Sequence, residues 1–487
     1  MIFAKNKVKS SLAIAGISLL ISMNGYAAES PSIDLDLEEK VWTASNSMLT
    51  SLESQVTKVI QTNPRDPYSS YLLSIYYMNI YKQNQGGLDA LRKASSLARQ
   101  AIDLDPNGSL GYLALSNIAL DIGQADKALS LIDQMDKAAT TSGWRKDLIK
   151  SKIYIHVGSK ADKIEQFSLL LGKNKAPISL FSYFAYGMLE TLKPEEAIGA
   201  ASAWYTTYKD RNINFLLGRS YQRAGKNKEA HKHYSRAIKK GLSNLDLYVE
   251  DGLLLLNHLD RPKEALKLFE KAITSAKESM DYESTILADI HLHKGFAHLV
   301  LNQTDEAIED HIKSIDAYSA KQKLLQHMAK KYRTMGRSKV LADLLTKTAE
   351  EVPGLSYSHA LLGEVLSDDI KAPNRALKAY ADAITLSPES SEYYNGMGLA
   401  YYKLKRFKSA VDVFTIASEL NPEDATSRYN IACMLAILGR QDEALTNLKG
   451  ALSLDPSLIG SAVDDDDFQN IKHHPSFKAL TTEVIAH

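Results

Sequence analysis

The chain has 487 residues, sets 58 lysines and arginines against 58 aspartates and glutamates, and is 45% hydrophobic. That balance offers no basic excess for nucleic acid, and a single cysteine, Cys433, excludes an internal disulfide. The length exceeds what one compact core organises, whereas a linear stack of repeated units needs no single centre.

Residues 1–27 are expected to be a secretory signal peptide. Lys5, Lys7 and Lys9 precede the apolar stretch SSLAIAGISLLISM, and Gly25-Tyr26-Ala27 supplies small residues before a cut. The stretch is too short to span a membrane comfortably. Cleavage after Ala27 removes three lysines and leaves a net charge of −3. No other segment is apolar enough to cross a bilayer, so export to a periplasm is expected, with secretion as the alternative.

Residues 28–66 begin polar (ESPSIDLDLEEK) and continue as a helical run through Trp42 to Ile60. This is expected to be an N-terminal helical cap, because the end of a repeat stack must cover an exposed apolar face. Residues 67–140 hold two helical hairpins. The first, over about 67–106, has a longer turn (QNQGG), and Leu115, Ala128 and Ile132 follow Pro106 in the second. Over 141–210 the spacing slips. Tyr186-Gly187 is followed too soon by Ala197, and Trp204 stands where a small residue belongs. Degenerate hairpins, or a junction between two arrays, would give this pattern.

Residues 211–353 resume it. Leu217-Gly218, Tyr221, Ala230, Tyr234 and Ala237 form a clean copy, with weaker ones at Gly252/Ala265/Phe269/Ala272, Gly295/Ala307 and Tyr332/Leu345/Pro353. The best units lie in 354–456. One has Leu362-Gly363, Leu366, Ala376, Tyr380, Ala383 and Pro388, with one inserted residue. The next has Gly398, Tyr401, Ala410, Phe414, Ala417 and Pro422, and a third has Ala432, Leu435, Ala444, Leu448, Ala451 and Pro456. Two antiparallel helices approach closely only at small residues, here Gly398 and Ala410, while Tyr394, Tyr401 and Phe414 fill the wider gaps. Pro422 ends the second helix because it lacks an N–H. Residues 457–487 are expected to be a C-terminal helical cap, with Phe468, Ile471, Phe477 and Leu480 sealing the last hairpin. Asp464 to Asp467 lack the glycine turn and distal glutamate of a calcium loop, and suit a helix N-terminus instead.

This spacing resembles the tetratricopeptide repeat family, whose small and aromatic positions recur every 34 residues. The resemblance covers nearly all of the chain beyond about residue 65. It implies an all-α solenoid (superhelix) of about eleven stacked antiparallel helix hairpins between helical caps.

No reaction is written in the sequence. His231-x-His233 and His291-x-His293 diverge by about 200° on a helix, so neither pair can share a metal. The pattern H-E-x-x-H, a phosphate-cradling glycine loop and a nucleophile elbow are absent. The expectation is a protein that is not an enzyme and carries no cofactor or metal.

The resemblance implies that the first helices line a concave binding groove. Matching its inward positions gives Glu392, Asn395, Leu399, Tyr402 and Lys403 in one repeat. They are Thr426, Tyr429, Cys433, Ala436 and Ile437 in the next, and Asn212, Phe215, Arg219, Gln222 and Arg223 in the central one. Asn395, Tyr402, Lys403, Tyr429, Arg219, Gln222 and Arg223 are the candidate partner-binding residues. Asn395, Tyr402 and Tyr429 could hold an extended peptide, or the two tyrosines could pack on the C-terminal cap. The lysine-led pattern that clamps chaperone C-termini in one subfamily is missing, since the matching positions read Asn395 with Leu399 and then Asn430. The expected function is a periplasmic scaffold for protein or peptide partners of the cell envelope, serving biogenesis, export or transport. The alternative is a polysaccharide-binding accessory that stacks Trp and Tyr on sugar rings.

Overall fold

The computed structural model describes residues 35–44, 46–83, 87–138, 144–171, 178–278 and 284–482. The expected signal peptide lies outside them. Every described element is helical, and contacts divide the chain into unit 1, ending at Glu283, and unit 2, starting at Ser284. The division falls within the stretch 211–353 rather than in 141–210.

Unit 1 opens with α1 (Leu35–Thr43) and α2 (Asn46–Thr62), followed by six pairs. These are α3 (Pro67–Lys82) with α4 (Gly87–Leu104), α5 (Leu110–Asp121) with α6 (Ala125–Ala138), and α7 (Trp144–Val157) with α8 (Lys160–Leu171). They continue with α9 (Ile178–Glu190) and α10 (Pro194–Tyr208), α11 (Arg211–Arg223) and α12 (Asn227–Lys239), and α13 (Leu245–Asn257) and α14 (Pro262–Glu278). Unit 2 holds five more. They are α15 (Ser284–Val300) and α16 (Thr304–Ala317), α17 (Lys321–Thr334) and α18 (Ser338–Glu351), and α19 (Ser356–Glu364) and α20 (Pro373–Leu386). Then come α21 (Ser391–Lys403) and α22 (Phe407–Leu420), and α23 (Ala425–Ile437) and α24 (Gln441–Leu454), before α25 (Leu458–Asp464) and α26 (Pro475–Thr482). Each unit is thus a stack of antiparallel pairs, an all-α solenoid.

The close approach inside a pair has a refinement. Gly398 does not meet Ala410 alone. Its bare Cα seats the ring of Phe414, and a Cβ there would stand 2.5 Å from a ring carbon. Gly252 seats Phe269 at 2.7 Å and Gly363 seats Tyr380 at 2.8 Å on the same measure. Gly218 does so for Tyr234, and Gly295 for His311. Phe414, Phe269 and Tyr234 are buried, as are Ala410, Ala265 and Ala230 beside them, so the ring and the alanine share the close contact.

Turns between paired helices pass through the left-handed region, at Gly225 (φ 71°), Lys405 (φ 57°) and Gly439 (φ 76°). The amide two residues past the last helical turn then bonds back, as Arg406 N to Tyr401 O (3.0 Å) and Arg440 N to Leu435 O (2.9 Å). The inserted residue near Gly363 is absorbed by a π turn over Val365–Asp369, closed by Ile370 N donating to Val365 O at 3.0 Å. Such a turn adds a residue without breaking the helix.

Over 141–210 the pairs persist with different packing. Trp204 is buried against Phe181 (ring centroids 5.1 Å) and Phe167 (6.5 Å), and its indole N–H donates to Ser168 Oγ at 3.1 Å. An aromatic cluster here fills the space that a small residue leaves to a neighbouring helix elsewhere.

Candidate functional site

In unit 1 the first helices α3, α5, α7, α9 and α11 touch in succession, while each second helix also meets the first helix of the next pair. This makes a continuous inner row whose side chains come from successive repeats. Polar groups lace the row together. Arg219 on α11 donates Nε to Glu250 Oε2 of α13 at 2.8 Å and pairs a second time with Glu250 Oε1. Its guanidinium lies 3.9 Å from the centre of the Tyr186 ring on α9 and 4.7 Å from that of Phe215. Burial opposes the charge on Arg219, but Glu250 and Asp246 outweigh it and hold the guanidinium protonated. Gln222 accepts the Tyr234 hydroxyl at 2.6 Å. Arg223 donates to the carbonyls of Leu189 (2.8 Å), Glu190 (3.2 Å) and Leu192 (3.1 Å), capping the C-terminal end of α9, where a cation is favoured.

Unit 2 repeats this economy. Lys403 on α21 donates to Ser367 Oγ at 3.2 Å and pairs with Asp368. Asn395 donates to Asp424 Oδ2 (3.0 Å), the N-cap of α23, and to Ser427 Oγ (2.8 Å) in its first turn. Tyr402 donates to Asp467 at 3.1 Å and Tyr429 to Asp465 at 2.9 Å. The structure therefore places all seven predicted residues on first helices and gives each an internal partner. Leu399, on the same surface of α21, is 45% exposed.

The aspartates after α25 turn out to bind tyrosines. Asp465 caps a single 3₁₀ turn over Asp466–Phe468 by accepting Asp467 N at 3.0 Å, and its other oxygen takes Tyr429. The Cys433 thiol lies 3.7 Å from that same oxygen. Burial first, then the two aspartates, push the thiol pKa up and keep it protonated. Ligand atoms of Cys433, Asp465 and Asp467 lie within 4.8 Å of one another, but the phenol donors and the protonated thiol suit a hydrogen-bonded latch.

The pair His231 and His233 diverges as its spacing requires. His231 meets Asp251 of α13 at 2.7 Å, while His233 meets Asn214 of α11 at 3.2 Å.

A further cluster had no signature in the sequence. Glu38 on α1 is 1% exposed, and Arg145 of α7 grips it with Nε to Oε1 at 2.9 Å and Nη2 to Oε2 at 2.7 Å. Tyr71 of α3 donates its hydroxyl to the same carboxylate at 2.8 Å, and Trp42 donates its indole N–H to Tyr71 at 3.3 Å. Glu38 and Arg145 are 107 residues apart, beyond the reach of any periodicity.

The tetratricopeptide repeat family model matches residues 215–279, 373–422 and 397–459. A tetratricopeptide repeat-containing protein of Methanocaldococcus jannaschii is 22% identical over 86% of this chain and 69% of its own length. Human tetratricopeptide repeat protein 6 is 26% identical over 45% of this chain and 40% of its own. Among solved structures, yeast Tom70 aligns over 92% of this chain and 99% of its own, at 16% identity and a TM-score of 0.29. The stretches 215–279 and 373–459 thus match the tetratricopeptide repeat model, and they contain the glycine seats at Gly218, Gly252 and Gly398.

Proposed function

We propose that this chain is a non-enzymatic, exported scaffold that binds protein partners of the cell envelope along its first-helix surfaces. One observation carries the reading: in unit 1, successive repeats from α3 to α11 contribute side chains to one continuous row of first helices, an arrangement suited to holding an extended or helical segment of another protein. Because the polar groups predicted on the first helices are already paired, affinity would come from shape and, in unit 2, from exposed apolar positions such as Leu399. Lys5, Lys7, Lys9 and the apolar run after them motivate the periplasmic location.

The test is cross-linking of the tagged full chain in living cells, followed by purification from the periplasmic fraction and identification of what accompanies it. A reproducible protein partner, diminished by Leu399→Asp at unchanged thermal stability, supports the scaffold. Recovery of a polysaccharide without protein would move the reading to a glycan accessory, and retention of the tagged chain in the cytosol would overturn the location.

A further inference from the structure

The inner row of unit 1 already holds a helix. α1 packs on α3 and α9 and bonds to α7, so it lies across the first helices instead of extending the stack of pairs. Its neighbour in sequence, α2, packs mainly on α3.

The surface beneath α1 is built to receive a helix. Leu37 and Val41 are buried against it. The guanidinium of Arg145 and the hydroxyl of Tyr71 converge on the Glu38 carboxylate. Asn79 donates its amide to Val41 O at 2.5 Å and Gln83 to Ala44 O at 2.9 Å, which satisfies carbonyls that a helix C-terminus leaves open. The Lys152 ammonium stands 5.1 Å from the Trp42 ring centre and is tied to Asn117 and Asp121 of α5. The anchors come from α3 and its C-cap (Tyr71, Asn79, Gln83) and from α7 (Arg145, Lys152), and they address different features of the bound helix: its carboxylate, its aromatic ring and its end.

We propose that the inner surface of unit 1 is a binding site for a short amphipathic helix bearing a carboxylate followed, one turn later, by an apolar and aromatic pair, and that α1 occupies this site as an intramolecular ligand. The inference deepens the scaffold reading and rests on it.

Two physical points make α1 exchangeable. At nine residues it is too short to hold helical form alone. A buried ion pair also contributes little net stability, because desolvation offsets the attraction, so its value lies in fixing what sits there. A partner helix supplying the same groups would restore every contact. It would compete with a tethered segment at an effective concentration near the millimolar range, so the resting chain binds such partners weakly.

The probe is a fluorescent synthetic peptide of residues 35–44, titrated by anisotropy into the full chain and into a Val41→Asp/Trp42→Asp variant whose own α1 is disengaged. Binding to the variant at least tenfold tighter than to the unaltered chain is expected. A peptide carrying Glu38→Ala should bind at least tenfold more weakly, and this control leaves the protein untouched. Amide exchange on the unaltered chain should show α1 opening faster than α3 and α7. The proposal is overturned if the folded variant takes up no peptide, if disengaging α1 unfolds unit 1, or if α1 exchanges as slowly as α3. Cellular partners that persist through Arg145→Ala would leave the scaffold reading standing while this site falls.

Discussion

Gly398 and Phe414 occupy one another's space: a side chain on the first would put its Cβ 2.5 Å from Cε1 of the second. The ring is 1% exposed and has nowhere to retreat. Gly398→Ala should therefore cost about 1–3 kcal/mol by overpacking. The next repeat solves the same contact with Ala432 and Leu448, both fully buried. Gly398→Ala with Phe414→Leu should thus recover part of the loss, and a double-mutant cycle on thermal unfolding would measure the coupling. Additive single effects would mean that the two residues do not share this contact.

His311 takes the aromatic place opposite Gly295, and burial pulls its pKa down to about 3. Its Nε2 donates to Leu292 O at 3.1 Å, so the neutral ring accepts the Tyr332 hydroxyl at Nδ1, 2.8 Å away. A histidine depressed in the folded state binds its proton more readily when unfolded. Its stabilising contribution is complete above the unfolded value near 6.5 and is lost as pH falls toward 3, with a slope up to about 1.4 kcal/mol per pH unit. His311→Phe should flatten the acid limb of stability by one proton and lose about 1–2 kcal/mol at neutral pH through the two missing hydrogen bonds. His233, lowered to about 4 mainly by burial, keeps its own part of the limb in both proteins. Identical pH slopes for variant and parent would refute the assignment.

Periodicity exposed the hairpins because each repeat must solve the same local contact, so Gly398, Ala410 and Phe414 recur at fixed spacing. His311 escaped notice as the aromatic member of its pair, since a histidine does not look like a ring-packing residue until its glycine is seen beneath it. The groove was legible only in part. The match to first-helix positions put Arg219 and Tyr402 on first helices, but their partners Glu250 and Asp467 lie 31 and 65 residues away. The Glu38–Arg145 pair depends on where α1 returns across the stack, a tertiary choice with no repeat to announce it.

Lys405 pays a backbone cost that Gly225 and Gly439 avoid. It stands at φ 57° in the turn between α21 and α22, where Gly439 and Gly225 serve the corresponding turns. A side chain in this region crowds the following carbonyl, and glycine does not. Lys405→Gly should raise stability by about 1 kcal/mol or less, measured as a higher denaturant midpoint at unchanged slope. A lower midpoint would mean that the lysine side chain contributes more than its backbone costs.

The segment after α25 acts as a latch on the last pairs. Phe468 is fully buried, meets the Tyr429 ring edge-on at 5.4 Å and the Phe477 ring at 5.7 Å, and sits in the turn whose Asp465 and Asp467 accept Tyr429 and Tyr402. Phe468→Ala should cost about 3–5 kcal/mol locally. In a stack whose repeats contact mainly their neighbours, the loss should appear as faster amide exchange in α23 and α24, with α15 and α16 little changed. Tyr429→Phe, which removes only the hydroxyl, should cost about 1 kcal/mol. If Phe468→Ala instead lowered protection equally throughout unit 2, the unit would be folding as one cooperative block. A local effect carries a functional consequence: a partner that took the Tyr402 and Tyr429 hydroxyls from Asp467 and Asp465 would first have to open the latch, at a cost set by the stability of Phe468 in its seat.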